Sequence, residues 1–424
     1  MHAWRSALEA LLKACHLKNA RLCVRYKVCY LARHDADHPG EPALTSPRIA
    51  LVRARYSPFG GAERFVDHAL TALQQNDVAV TLITRQWKQD SAIPALICDP
   101  FYIGNVWRDW SFARSVCRTL PRENFDLVQS HERIACCDVY RAGDGVHREW
   151  LAQRSRTLSA LGRAKIALNP YHAYVKHAEV ALFRSPRLRA IICNSHMVKD
   201  EIRTWFQVPE ETLHVIYSGV DTQRFHPGLR DKHRAAFRAE HRIPEHATVF
   251  LYVGSGFERK GVAPLIEAFS ALPDMAHVAI VGNDKKRARY EQLAYQRGVA
   301  TRIRFLGALN DVAPCYGAAD AFVLPTLYDP FPNVILEAMA SGLPVITSEK
   351  SGGAELIEPG KSGYVCDALD VNALAANMRS LLPKERHTEM GRRAREIVLP
   401  YTFDAMSARL RSLYESLLQQ RPAV

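Results

Sequence analysis

The sequence predicts an α/β fold built from two doubly wound units in tandem, and three features carry that prediction. Short apolar runs of strand length alternate with stretches of helical spacing, first at 48–52, 78–84, 125–129 and 189–193. The same alternation restarts after His226-Pro227, at 248–253, 277–281, 303–306, 321–324 and 345–347. No run of about 18 apolar residues interrupts it, so no membrane-crossing helix is expected. Strands separated by helical segments argue for parallel sheets covered on both faces. Two such units leave a cleft at the carboxyl ends of both sheets, where ligands of these folds bind.

Residues 1–47 read as an extension: a basic stretch with scattered apolar residues, then a segment rich in Asp, His, Pro and Gly at 34–47. A helix followed by a linker is expected there. The Asp35-x-Asp37 pattern lies beside Pro39-Gly40, ahead of the first strand, and reads as part of that linker rather than as a metal site. The first strand, 48–52, leads through Ser57-Pro58-Phe59-Gly60-Gly61 into a helical stretch at 62–73. In the second unit the strand 248–253 leads through Gly254–Gly261 into a helix at 262–272. The chain closes with a helix at 403–418, whose Met406, Leu410, Leu413 and Leu417 share one face. The expected division is an extension at 1–47, a first Rossmann-like domain at 48–225, a second at 226–400 and a closing helix at 401–424.

Composition narrows the partners. With 424 residues, 48% of them hydrophobic, the chain can bury two cores. Its formal charge of +12 suits nucleic acid, an anionic membrane or anionic substrates. Zinc-finger spacing and paired ribonucleoprotein aromatics are absent from the sequence, so nucleic acid is not an expected partner. The first residues lack a signal-peptide pattern. Ten scattered cysteines form no Cys-x-x-Cys pair, and Cys136-Cys137 are neighbours; reduced thiols of a cytoplasmic protein are expected.

The second unit holds the sharper chemistry. Gly254-Ser255-Gly256-Phe257-Glu258-Arg259-Lys260-Gly261 joins a strand to a helix start, where backbone N–H groups favour an anion. Arg259 adds a planar fork and Lys260 a point charge, both suited to a diphosphate. Downstream, Asp329 and Glu337 stand eight residues apart around Pro330, Phe331, Pro332, Asn333 and Val334. Asp329 falls in a loop after a strand and Glu337 in the following helix. Two carboxylates so placed can accept hydrogen bonds from sugar hydroxyls and from a ribose diol, with the loop amides between them facing the diphosphate. The plainer alternative is a helix-capping Asp and a surface Glu.

These pieces together resemble family 4 of the glycosyltransferases, retaining enzymes of GT-B fold. The resemblance spans 248–365 and includes Phe305-Leu306-Gly307, Ala318-Ala319-Asp320, Gly342-Leu343-Pro344-Val345 and Gly352-Gly353-Ala354-Glu355. It implies two Rossmann-like domains facing across a cleft, a closing helix that crosses back to the first, and a nucleotide-sugar donor bound by Arg259, Lys260, Asp329, Phe331, Pro332, Asn333, Val334 and Glu337. The family usually carries Glu where this chain has Asp329, one methylene shorter. In the first half, Gly60-Gly61 matches the family's paired glycines beside the donor phosphates. The run Asp138-Val139-Tyr140-Arg141-Ala142-Gly143-Asp144 looks like the corresponding part of lipopolysaccharide core α-glucosyltransferases. The resemblance makes Asp144 the carboxylate that orients or deprotonates an acceptor hydroxyl, with Asp138 a second candidate. A turn-capping Asp before Gly145 is the alternative for Asp144. His131, Glu132 and His147 complete the acceptor-side candidates.

Residues 148–189 carry nine Lys or Arg against two Glu, with Trp150, Tyr171, Tyr174 and Phe183 interspersed. Such a segment fits an anionic membrane surface. The expected protein is therefore a retaining, metal-independent and cofactor-independent transferase. It moves a sugar from a nucleotide diphosphate, UDP by resemblance, to a lipopolysaccharide core or related glycolipid on the cytoplasmic face of the inner membrane. A soluble transferase acting on polysaccharide or a small metabolite, and a catalytically silent nucleotide-sugar-binding protein, are the rival readings.

Overall fold

The computed structural model describes residues 46–55, 78–87 and 94–420. The expected helix at 62–73, Gly60, Gly61 and the Asp35-x-Asp37 pattern lie outside the described residues.

Thirteen parallel strands form two sheets among the described residues. The first contains β1 (Arg48–Val52), β2 (Ala79–Thr84), β3 (Ala95–Ile97), β4 (Leu127–Ser130), β5 (Val139–Arg141), β6 (Ala190–Cys193) and β7 (Leu213–Val215), in the order 3-2-1-4-5-6-7. The second contains β8 (Thr248–Val253), β9 (Ala276–Val281), β10 (Ile303–Gly307), β11 (Ala321–Leu324), β12 (Val345–Ser348) and β13 (Gly363–Cys366), in the order 10-9-8-11-12-13. All six residues of β8 are buried, as are all four of β11, because helices cover both faces of a parallel sheet. Their β-branched and aromatic side chains fill that space well. In each sheet the direction of winding reverses beside the first strand, at β1/β4 and at β8/β11, so each sheet opens a crevice at the carboxyl ends of those two strands. The three- and four-residue strands β3, β5, β7 and β13 are too short for periodicity to announce.

The helix Phe403–Gln419 lies on the first sheet rather than the second. Met406, Leu410, Leu413 and Leu417 share a core with Ile49 and Leu51 of β1, Leu82 of β2, Leu127 of β4 and Ile192 of β6. The Tyr414 hydroxyl hydrogen-bonds the Gln129 amide oxygen, and the Arg189 guanidinium donates to the Leu417 carbonyl. The chain thus returns to its first half after completing its second.

One expectation is corrected. Cys117, in the helix Gly104–Thr119, is joined by a disulfide to Cys136, in the loop between β4 and β5. A separation of 19 residues carries no motif, and only the packing of that helix beside the loop brings the two sulfurs together. Cys98, Cys137, Cys193, Cys315 and Cys366 are buried free thiols. Among the described residues no helix is long and apolar enough to cross a membrane.

Candidate active site

The second sheet's crevice is built from the loops after β8 and β11. The two are fastened by backbone: Leu327 N–H donates to the Arg259 carbonyl at 2.8 Å, and the Thr326 hydroxyl to the same oxygen at 3.1 Å. Gly261, at φ +77°, lets the first loop pass against the Pro325 carbonyl, which any side chain there would strike. Held this way, Arg259 and Lys260 converge on one carboxylate. Arg259 Nη1 and Lys260 Nζ each lie 3.2 Å from Asp329 Oδ2, and Arg259 also donates to the Tyr328 carbonyl at 2.8 Å. Asp329 is fixed by its own backbone, which pairs with the loop after β12: its N–H donates to Lys350 O and its carbonyl accepts from Gly352 N–H, both at 2.9 Å.

The helix Asn333–Ala340 begins directly after this loop. Its N-cap is Pro332, which has no side-chain acceptor, and the start of such a helix carries the positive partial charge that favours an anion. Glu337 is buried and its Oε2 accepts from the Tyr316 hydroxyl at 2.9 Å. With Asn333 it borders a cavity of about 100 Å³ beside Gly219 and Asp221 of the segment that links the two sheets. Phe331 is buried against the Tyr217 ring, 5.4 Å between centroids, and Val334 is partly buried with its carbonyl accepting from Tyr316 at 3.3 Å. Phe331, Pro332 and Val334 therefore shape the wall, while Arg259, Lys260 and Asp329 carry its charge.

From the first sheet, Asp144 follows β5 and is exposed, with Arg133 Nη1 at 3.9 Å from its Oδ2. Gly145, at φ +66°, leaves no room for a side chain because the Tyr328 hydroxyl and Pro330 ring occupy that space. The Tyr328 hydroxyl accepts from Val146 N–H at 2.9 Å and donates to Glu201 Oε2 at 2.7 Å. Lys350 Nζ bridges Glu201 Oε1 at 3.1 Å and Glu149 Oε1 at 2.9 Å, and the Ser195 hydroxyl donates to Pro330 O at 2.9 Å. Burial outweighs these partners and lifts the Glu201 carboxyl to about 6. The loops bearing Asp144 and Asp329 are thus locked side by side. Sequence reasoning missed Tyr328, Lys350, Glu149 and Glu201. Position just past β11 and β12, at the carboxyl edge of the sheet, was the one available signal for Tyr328 and Lys350.

The remaining first-half candidates divide. Glu132 reaches the same region: its Oε1 accepts from Ala54 N–H at 3.0 Å and lies 3.7 Å from Arg53, and burial raises its carboxyl. His131 is fully enclosed beside Gln129, and burial together with Arg141 and Arg53 holds it neutral. His147 Nε2 meets His172 Nδ1 at 3.0 Å, and burial, Arg133 and His172 lower it to about 3. Asp138 is not brought to the cleft. It stands at the amino end of β5, the edge opposite Asp144, where Oδ2 accepts from Val128 N–H at 2.8 Å and Oδ1 meets Arg187 Nε at 3.1 Å. Both oxygens fasten β5 to its surroundings. As the second catalytic candidate it is set aside, because β5 separates it from Asp144 and from the carboxyl edge of the sheet.

Two doubly wound parallel sheets whose strand-end loops meet through Tyr328, Val146 and Ser195 make up the GT-B architecture of glycosyltransferases. The chain belongs to the glycosyltransferases: residues 59–224 match the model of Glycosyltransferase Family 4 and residues 233–397 that of Glycosyl transferases group 1. Lipopolysaccharide glucosyltransferase WaaG of Escherichia coli is 27% identical over 75% of this chain and 84% of its own length. Lipopolysaccharide core biosynthesis glycosyltransferase LpsE of Rhizobium meliloti is 27% identical over 88% of this chain and 100% of its own. The crystal structure of WaaG, a glycosyltransferase involved in lipopolysaccharide biosynthesis, superposes with a TM-score of 0.73 at 25% identity, covering 86% of this chain and 98% of that one.

Proposed function

We propose that this glycosyltransferase moves a hexosyl group from a UDP-sugar, with retention and without a metal ion, to a lipopolysaccharide core or related glycolipid at an anionic membrane surface on the cytoplasmic side. The convergence of Arg259 and Lys260 on Asp329, at the carboxyl end of β8 and β11, is the observation that carries this reading. Residues 226–400 hold the donor and 48–225 the acceptor. The diphosphate lies against Arg259, Lys260 and the start of the helix Asn333–Ala340, and Gly60 and Gly61 also serve the donor. Asp329 accepts from sugar hydroxyls and Glu337 from the ribose. As the glycosidic bond breaks, negative charge grows on the diphosphate, and the two cations stabilise it most at that moment. The acceptor hydroxyl attacks from the face the nucleotide leaves, and the departing diphosphate takes its proton. Asp144, with Glu132 behind it, orients that hydroxyl. The kinship with WaaG and LpsE supports the lipopolysaccharide acceptor.

Membrane contact is supported by the helix Ala160–Leu168, none of whose residues is buried. Leu161 and Leu168 are 67% and 73% exposed, with Arg163 and Lys165 alongside. Phe101 and Ile103, 74% and 69% exposed, precede the helix Gly104–Thr119. A hydrogen bond from the Tyr171 hydroxyl to Asp109, 3.1 Å, brings the start of that helix close to Leu168. Arg154 and Arg156 instead meet Glu258 and Asp367 of the other half, so they serve the domain contact.

A donor screen with purified protein and truncated lipopolysaccharide, read by product mass and by the anomeric configuration of the new linkage, tests the proposal. Retention with a UDP-sugar, undiminished by EDTA, is expected. An inverted product, or activity abolished by EDTA and restored by manganese, refutes the mechanism.

A further inference from the structure

Beside Asp144 the first half of the chain encloses a cavity of about 290 Å³, near the lower end of small-molecule sites at about 300–1,000 Å³. Its wall carries five arginines: Arg53 and Arg55 after β1, Arg85 after β2, Arg108 on the helix Gly104–Thr119 and Arg133 after β4. Three carboxylates, Asp109, Glu132 and Asp144, share that wall. The mechanism proposed above uses none of the arginines, and the donor's diphosphate has its own cations on the other sheet.

The arginines are held differently. Arg85 is a structural post: it is buried, paired with Asp99 at 2.8 Å, and bonded to Pro100 O, Arg108 O and Ser111. Arg133 donates through Nε to buried Glu179 at 3.1 Å and through Nη2 to Gly145 O at 3.3 Å, while its Nη1 lies 3.9 Å from Asp144. That last distance is an ion pair too long for a hydrogen bond, so Asp144 does not close around the Arg133 guanidinium. Arg108 is held by Asp109 along one edge, Nε to Oδ1 at 2.6 Å and Nη2 to Oδ2 at 3.2 Å, and its Nη1 donates to Asn105 Oδ1 at 3.3 Å; each terminal nitrogen keeps a second N–H for a ligand, and Asp109 is aimed in turn by Tyr171. Guanidinium forks match planar or tetrahedral oxyanions and can bind them bidentately. Removal from bulk water strengthens such contacts.

We propose that this cavity is an acceptor subsite for an oxyanion, a phosphate or a carboxylate, carried on the acceptor next to the hydroxyl that receives the sugar. The inference rests on the reading that Asp144 marks the acceptor side. It adds that the enzyme selects acceptors by charge: the anion seats among Arg55, Arg108 and Arg133, and the neighbouring hydroxyl is thereby brought to Asp144. Tyr171 and Tyr174 line the same wall and add aromatic surface for the sugar that bears it.

The test uses full-length protein saturated with UDP, so that the diphosphate site is filled. Calorimetry then compares glucose 6-phosphate, glucuronate and glucose as probes. Glucose 6-phosphate or glucuronate should bind at least tenfold tighter than glucose, and the stronger of the two tells a phosphate from a carboxylate. The double variant R55Q/R108Q should erase the preference while leaving UDP affinity within twofold of the parent. These two positions are chosen because Asp109 is partly exposed and its loss of a partner leaves no buried charge, so folding is preserved. Retained UDP affinity verifies the fold. Equal binding of all three probes by UDP-loaded protein overturns the proposal, as does a preference that survives R55Q/R108Q. Failure of the parent protein to bind UDP would instead sink the donor reading, and with it the assignment of Asp144 to the acceptor side on which the proposal rests.

Discussion

Replacing Tyr328 by Phe removes one oxygen and tests whether the Tyr328 lock positions the reacting groups. That hydroxyl satisfies Val146 N–H at 2.9 Å and Glu201 Oε2 at 2.7 Å, from a residue next to Asp329. In Tyr328→Phe both partners stay buried in the closed arrangement and find water only if the two halves separate. Each unsatisfied group costs about 1–3 kcal/mol, with Glu201 at the lower end because Lys350 still reaches it. Closure is therefore disfavoured by roughly 2–4 kcal/mol, about a 30-fold to 800-fold shift in the closed-to-open ratio. Neither group touches the diphosphate cations. The expected outcome is a kcat at least about tenfold lower, with UDP affinity unchanged by calorimetry and a larger radius of gyration by solution scattering. A folded Tyr328→Phe protein with wild-type kcat and an unchanged radius would refute the positioning role.

Arg259→Ala and Lys260→Ala should each lower turnover at least about tenfold, equal to about 1.4 kcal/mol of barrier; steady-state rates matching wild type in both would remove the diphosphate assignment. Glu337→Ala should weaken UDP binding at least about tenfold, since a buried ribose contact is lost, and calorimetry showing equal affinity would exclude Glu337 from the donor site. Combining Leu161→Gln, Arg163→Gln, Lys165→Gln and Leu168→Gln should release the protein from anionic vesicles in sedimentation while sparing UDP binding; undiminished sedimentation would place the membrane contact elsewhere. Acid should destabilise the fold through His147, held near 3 in the native state against about 6.5 unfolded. Between those values the unfolded chain binds a proton that the folded one refuses, so stability falls as pH drops below about 6.5. His147→Gln should make the melting temperature fall less steeply between pH 6.5 and 4.5, the remaining slope coming from other buried histidines such as His131, and an unchanged slope would assign the acid sensitivity to those groups.

What the sequence revealed, and what it hid, follows from the range of the interactions concerned. Arg259, Lys260 and Asp329 were readable because each lies just past a run of apolar residues bounded by turn signals, and strand ends set the crevice. Glu337 was placed by the turn of helix that follows. Asp138 stayed a second candidate beside Asp144 because the three residues between them that form β5 are too few to show a strand, yet that strand sends them to opposite edges of the sheet. Tyr328 resembled any loop tyrosine; its partner Val146 lies 182 residues away, and nothing local announces the pairing. The Cys117–Cys136 bond was hidden for the same reason. The arginine cavity draws on three strand ends and a helix, so its charge never gathers in one stretch of sequence.

The helix Phe403–Gln419 gives the chain an awkward order of assembly. Strands β1, β2, β4 and β6 emerge first during synthesis, yet one face of the core they form is completed by Met406, Leu410 and Leu417. The first sheet must wait, with that apolar face uncovered, until the whole second sheet and its helices have been made. Members of this one core that stand more than 350 residues apart in the chain, Ile49 and Met406 among them, come together late and slowly. The half of the protein that is born first is therefore the half that finishes last, and a nascent chain stalled before Phe403 exposes a surface suited to a chaperone.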